Sequence, residues 1–277
     1  MQESRYDGGM RSATLQHAVE IEGRGLFSGQ PCRVEVKPAA AGSGIVFAKD
    51  GRQVVCHPQN FVENPNCTVM ESGGMRITQT EHILCALWAA GIDTAEIAVS
   101  RPEMPNNDGS ARPLYDALLS GDVVEHGSRP SAAIPHQLRV DSPSGAWITI
   151  EPDEQLSVSY HFEHPELGTQ DFAAIITREW AVDQLLPART FITEREAFAA
   201  RAAGLLQHSD ESVALLIRDP QSPPALRYPD EYARHKVLDL LGDLYAVPGE
   251  FTGRIDCHMS GHALNRELAR KLVSTVL

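Results

Sequence analysis

His235, Asp239 and Asp243 stand at i, i+4 and i+8 of the segment PDEYARHKVLDLLGDLY, a spacing that lines them along one face of an α-helix. Apolar Val237, Leu238, Leu241 and Leu244 take other angles. An imidazole and a carboxylate one turn apart can grip a single divalent ion, as paired histidines do on zincin helices. The same spacing also serves a solvated helical pair. A second segment, ITQTEHILCALWAAG, puts His82 in the first turn of an amphipathic pattern with Glu81 beside it. One of these could hold an ion while the other handles the proton of its water. Thr78 and Glu81 equally fit a capping box, in which Glu81 would only satisfy the Thr78 backbone donor. In a third segment, MSGHALN, His262 follows Ser260 and Gly261 just ahead of a helical pattern. Its ring can project into a cleft there, or Ser260 can simply cap the helix.

These side chains need elements to position them. Apolar periodicity predicts helices over 82–90, 112–119, 194–203, 230–245 and 263–277, with Gly91, Gly121 and Gly204 as stops for the first three. Alternation predicts strands in CRVEVKP, GIVFAK and AEIAVS in the first half, and in AWITIEP and QLSVSYHFE in the second. Between them GDVVEHGSRPSAAIPH loses periodicity and gains Gly, Ser and Pro, the composition of a connection. A boundary near 125–133 divides the chain into an N-terminal α+β domain, 1–127, and a C-terminal α+β domain, 128–277, which carries His235 and Asp239. Both halves run strands first and helices later, which suggests a duplicated architecture, although no residue-level repeat supports it.

Length and composition agree with two ordinary domains: 277 residues, 42% hydrophobic and 22% charged. No apolar run reaches the ~18 residues of a membrane span, and MQESRYDGGMRSATLQH lacks the apolar core of an export signal, so a cytoplasmic protein is expected. Five cysteines, an odd number without a C-x-x-C pair, read as reduced structural thiols. A formal net charge of −13 argues against nucleic-acid binding, and an anionic ligand would need a local basic patch.

In order, TQTEHILCALWAAGID, PNNDGSARP, ARTF, LRYPDEYARHKVLDLLGDLY and SGHALN resemble the successive motifs of the UDP-3-O-acyl-N-acetylglucosamine deacetylase family, the zinc amidases of lipid A biosynthesis. GRGLFSG and SYHFEHPELGTQ extend the match from about Thr14 to the C-terminus. The resemblance implies an α+β fold of two similar layered domains, each a sheet packed by two helices, with the active site between them. It implies Zn2+ held by His82, His235 and Asp239 with a fourth position open to water. Glu81 matches the general base, and His262 the acid that protonates the leaving glucosamine nitrogen, oriented and charged by Asp243. The Thr190 hydroxyl becomes an oxyanion donor. Phe191 would offer an apolar face to the sugar, and Lys236 would meet polar substrate groups.

The implied reaction is hydrolysis of the N-acetyl group of UDP-3-O-(3-hydroxyacyl)-N-acetylglucosamine with release of acetate, the committed step of lipid A biosynthesis. The implied partner is that acylated UDP-amino sugar, met by a monomer that approaches the membrane surface transiently through the acyl chain. Two other readings stand beside it: a non-catalytic paralogue, against which the intact Glu81 and His262 argue, and a zinc amidase acting on another acylated amino sugar. The second is motivated by departures from the family pattern. Phe27 stands in Gly25-Leu26-Phe27-Ser28-Gly29 where the family has a histidine. GLLQHSDESVALLI, 204–217, lacks the paired glycines of the family's acyl-tunnel insert, and so the backbone angles they allow. Asn106-Asn107 replaces an apolar pair ahead of the Asp108-Gly109 turn and reads as local variation.

Overall fold

The computed structural model describes residues 11–129, 131 and 133–276. Residues 1–10, which open both the first expected domain and the segment read as lacking an export signal, lie outside them, as do 130 and 132 of the expected connection and 277 of the last expected helix.

The alternating segments become strands of two five-stranded sheets. In spatial order the first is Val19–Arg24, Pro31–Lys37, Ala95–Val99, Ile45–Lys49 and Arg52–Val55. The second is Leu138–Asp141, Trp147–Glu151, Gly253–His258, Leu156–His164 and Gly168–Ile175. In each sheet the strand that comes last in the chain inserts at the centre. It runs parallel to one neighbour, Ile45–Lys49 in the first sheet and Leu156–His164 in the second, and the other pairings are antiparallel. The duplication suggested by element order is thus present as one strand order used twice.

Among the described residues six α-helices accompany the sheets: α1 (Thr80–Ala90), α2 (Arg112–Leu119), α3 (Arg178–Gln184), α4 (Glu194–Ala202), α5 (Glu231–Leu244) and α6 (His262–Val276). In each half one helix comes immediately before the central strand and one follows it, so α1 corresponds to α5 and α2 to α6. Four pack in a row, α2 on α1, α1 on α5 and α5 on α6. At the ends of the row α2 meets Val19–Arg24, and α6 meets Leu138–Asp141 and Trp147–Glu151, while α5 also packs on the second sheet. Every residue of α1 from Thr80 to Ala89 is buried, which explains why its sequence is apolar on all sides beyond the polar first turn Thr80-Glu81-His82.

Two local expectations need correction. Val123–Ser128, read as part of an irregular connection, is a strand paired with Arg11–Leu15. None of its residues is fully buried, so it has no apolar alternation to reveal it. Helix α3 was not expected; it is seven residues long with only Ala181 buried, and it starts where the Thr177 hydroxyl accepts the Trp180 N–H.

The halves are joined most closely at Gly242 of α5. A Cβ built there would lie 2.0 Å from the Glu81 carbonyl oxygen of α1, so no side chain fits between the helices. A second tie runs through Arg129 at the boundary, whose guanidinium is 3.7 Å from Asp93 of the first half, donates to Glu250 (2.8 Å) and to the Gly249 carbonyl (2.9 Å) of the second, and stacks on Tyr245. Tyr245 in turn donates to the Ile92 carbonyl at the end of α1 (2.8 Å). Gly242→Ala should therefore force α1 and α5 apart and cost about 1–3 kcal/mol of stability, the usual range for overpacking. Thermal unfolding reads this as a lowered midpoint; an unchanged midpoint would show that the helices can slide to absorb a methyl group.

Candidate metal centre and active site

The close crossing brings His82 of α1 against His235 and Asp239 of α5. His82 Nε2 and His235 Nε2 lie 3.6 and 3.4 Å from the same oxygen, Asp239 Oδ1, and one donor atom from each residue falls within 4.8 Å of the others. All three side chains are buried. The Ala188 carbonyl can only accept, so at 3.1 Å it fixes the proton of His235 on Nδ1 and leaves Nε2 a free lone pair. Burial pulls the His235 imidazole down to about 3, so it is neutral, as a metal ligand must be. Asp239 is lowered well below the usual carboxylate range: burial opposes this, but His235 and Lys236 outweigh it. Two imidazoles and a carboxylate converging in a buried pocket fit a tetrahedral divalent ion with one position left for water.

Around this cluster stand the other residues singled out in the sequence. Glu81 does not close a capping box. Its Oε2 accepts the Thr68 N–H at 3.0 Å, the Thr78 hydroxyl donates to the Pro102 carbonyl, and α1 starts after Gln79 without a side-chain cap. Burial pushes the Glu81 carboxyl up, against the pull of the His262 and His82 imidazoles. His262 opens α6, with Nδ1 3.0 Å from Asp243 Oδ2 and Nε2 3.8 Å from Asp239 Oδ2. Burial works to lower His262, but Asp243, then Asp239 and Glu81, overcome it and raise the imidazole to about 9. Asp243 is fully enclosed, and Asn265 also donates to its Oδ2 (2.9 Å).

Thr190 is carried to the cluster by a buried ionic clamp. Fully enclosed Glu231, at the start of α5, accepts from the Arg189 backbone and guanidinium and from the Arg227 backbone, at 2.6–3.1 Å. The Thr190 hydroxyl then lies 3.5 Å from His82 Nε2 and 3.1 Å from the Gly109 carbonyl, to which it donates. Phe191 packs edge-on to Phe162 and against Tyr232. Lys236 is not free: its ammonium is 3.0 Å from Asp239 Oδ2 and 5.7 Å from the Phe191 ring centre.

The cluster opens into a cleft of about 680 Å³, large enough for a sizeable organic ligand. Its apolar walls include Phe27, Phe191, Ala197, Ala200, Leu206 and Leu216. The departures at 27, 106 and 204–217 meet here. The Leu206 N–H donates to the Phe27 carbonyl (2.9 Å), the Ser209 hydroxyl to the Leu26 carbonyl, and the Asn106 amide to the Val213 carbonyl. Asn106 is thus more than local variation, because it fastens the altered segment. Glu103, which the sequence reading missed, accepts the Phe27 N–H at 2.6 Å and holds the loop from below. Thr68, Glu231 and the Ala188 carbonyl were missed too; each acts through a backbone atom or as a single polar residue with no spacing signature.

Comparison with known proteins agrees with this geometry. The chain matches the family described as UDP-3-O-acyl N-acetylglycosamine deacetylase over residues 12–274. A UDP-3-O-acyl-N-acetylglucosamine deacetylase of Acidithiobacillus ferrooxidans is 33% identical over 279 residues, covering 95% of this chain and 90% of the relative. Those of Nautilia profundicola, 30% identical over 271 residues (96% and 92% covered), and Anaeromyxobacter sp., 33% over 272 residues (94% and 88%), are similar along the same length. An amide hydrolase by its relatives, with a buried His/His/Asp cluster at its centre, this chain belongs to the UDP-3-O-acyl-N-acetylglucosamine deacetylase family.

Proposed function

We propose that this protein hydrolyses the N-acetyl group of UDP-3-O-(3-hydroxyacyl)-N-acetylglucosamine in a zinc-dependent reaction that releases acetate, the committed step of lipid A biosynthesis. The observation that carries the reading is the convergence of His82, His235 and Asp239 beside a buried carboxylate, Glu81, and the Asp243-backed His262. The chemistry zinc supplies when bound is Lewis acidity, which makes a water easy to deprotonate near neutral pH and draws charge from the acetamide carbonyl.

The chain's own residues supply the rest. One oxygen of Glu81 is held by the Thr68 N–H, so the other is the atom that takes the proton of the attacking water. The Thr190 hydroxyl exchanges its bond to the Gly109 carbonyl for one to the developing oxyanion. Asp243 keeps the Nδ1 proton of His262 engaged, so Nε2–H faces the cleft and protonates the departing nitrogen as the C–N bond breaks. Acetate and the free amine are the products. Phe191 presents its ring to the sugar, and Lys236 holds Asp239 while reaching polar substrate groups. The apolar walls enclose the acyl chain, through which a monomeric, cytoplasmic enzyme would approach the membrane surface; no helix among the described residues is long and apolar enough to cross one. The two units of the enzyme are taken as 1–127 and 128–277.

A second reading keeps the mechanism and changes the substrate. Phe27 lines the cleft where the family pattern has histidine, and its carbonyl is bound by Leu206 of the altered segment, so a different acylated amino sugar could fit these walls.

Three outcomes are expected. Glu81→Gln should lower turnover by about 10²–10⁴-fold, the usual worth of a general base, while retaining one equivalent of metal. Acetate release and metal analysis on the same sample check this, and a variant as active as the parent removes Glu81 from the chemistry. Chelation should abolish turnover and lower the unfolding midpoint, with both restored by zinc; His235→Ala should bind no stoichiometric metal. Across substrates with different 3-O-acyl chains, a clear preference supports the first reading, and rejection of all of them supports the second.

A further inference from the structure

Thr68 lies at the start of the strand Val69–Ser72 and is fully buried. Its two polar donors go to two different carboxylates of the site. The backbone N–H donates to Glu81 Oε2 at 3.0 Å, and the hydroxyl donates to Asp243 Oδ1. The hydroxyl oxygen is also 3.3 Å from His262 Nδ1. Asp243 can only accept, so the single hydroxyl proton points to it, and the Thr68 lone pair is left facing the His262 Nδ1–H.

We propose that Thr68 is a positioning residue for the deacetylation, holding the base Glu81 and the Asp243–His262 pair in one fixed relation across the reacting amide. The inference rests on the functional reading above. Glu81 belongs to α1, Asp243 to α5 and His262 to α6, so no single element fixes their separation. Thr68 touches groups on all three. With it in place each Asp243 oxygen has a donor, Thr68 on Oδ1 and His262 with Asn265 on Oδ2, so the carboxylate cannot swing.

Thr68 is itself held from behind. Buried Arg266 of α6 donates to the Cys67 carbonyl (3.3 Å) and the Asn64 carbonyl (3.0 Å), fastening the loop that presents the Thr68 N–H. The helix that carries His262 therefore also fastens the residue that steadies Glu81. Base and acid are coupled through 64–68 as well as through the α1–α5 contact.

The test compares Thr68→Val, which keeps shape and N–H but removes the hydroxyl, with Thr68→Ser, which keeps the hydroxyl. Thr68→Val should lower kcat about 10–100-fold, the usual cost of losing a group that orients a site residue, with KM and metal content unchanged. Thr68→Ser should recover most of that loss, and Thr68→Val should add little in an Asp243→Asn background, because the hydroxyl acts through Asp243. Wild-type kcat in Thr68→Val, an equal loss in Thr68→Ser, or full additivity with Asp243→Asn overturns the proposal. If Thr68→Val does not fold, Thr68→Ala against Thr68→Ser decides on the same criteria. A readout without substrate separates this from failure of the deacetylase reading: the His262 Nδ1–H proton resonance should shift in Thr68→Val and return in Thr68→Ser. A resonance indifferent to the hydroxyl overturns the positioning role whatever the substrate proves to be.

Discussion

At Gly242 the helix α5 comes so near α1 that a backbone carbonyl, that of Glu81, occupies the space a side chain would need. That approach sets the distance between the donor atoms of His82 and those of His235 and Asp239, and hence whether three residues from two helices can share one ion. Side chains at His82, His235 and Asp239 have little freedom to correct an error in helix separation, because each is buried and packed. The glycine is therefore part of the candidate metal site in effect, although it offers no donor atom. The same crossing shuts α1 in on all sides and makes the apolar core continuous between the two sheets.

Around the crossing the protein encloses Glu81, Asp239, Asp243 and His262, groups whose burial is costly unless each finds a partner. Partners are found within the chain: Thr68 for Glu81, Thr68 and Asn265 for Asp243, Lys236 for Asp239, and Asp243 for the His262 ring. The convergence of His82 and His235 on Asp239 leaves unshared imidazole nitrogens aimed at one another's space, an arrangement that a cation relieves. Stability and metal affinity are in this sense two measures of one polar network.

The sequence made the candidate metal cluster and the carboxylate–imidazole pairs legible because they use residue types with strong chemical meaning at helical spacing. His235, Asp239 and Asp243 share a face of α5 as their positions demand. Glu81 showed the limit: Thr78 and Glu81 have capping-box spacing, but the start of α1 is fixed by Gln79 in a left-handed conformation, and the carboxylate turns to Thr68 instead. Thr68 itself was illegible, since its partners lie 13 and 175 positions away and nothing local marks a lone threonine. Glu231 looked like one acidic residue among many until the fold placed both its oxygens against Arg189 and Arg227. Short α3 and the half-exposed strand Val123–Ser128 bury too little to write a period into the sequence. The strand order, repeated in both halves, left no residue-level trace because the same topology accepts many side chains.

That repeated order gives the α1–α5 contact a second meaning. Each helix occupies the same place in its own half, immediately before the central strand, so the contact is the kind that a two-fold symmetric dimer makes with itself. In such a dimer every residue would appear on both sides of the axis, and an odd set of three ligands could not be written. Joining the two copies in one chain lets the sides differ. One helix brings an imidazole and a carboxylate, the other an imidazole and two carboxylates. The asymmetric reaction proposed above, with distinct roles for the groups around the amide, would thereby be housed in a frame whose two sheets share one strand order.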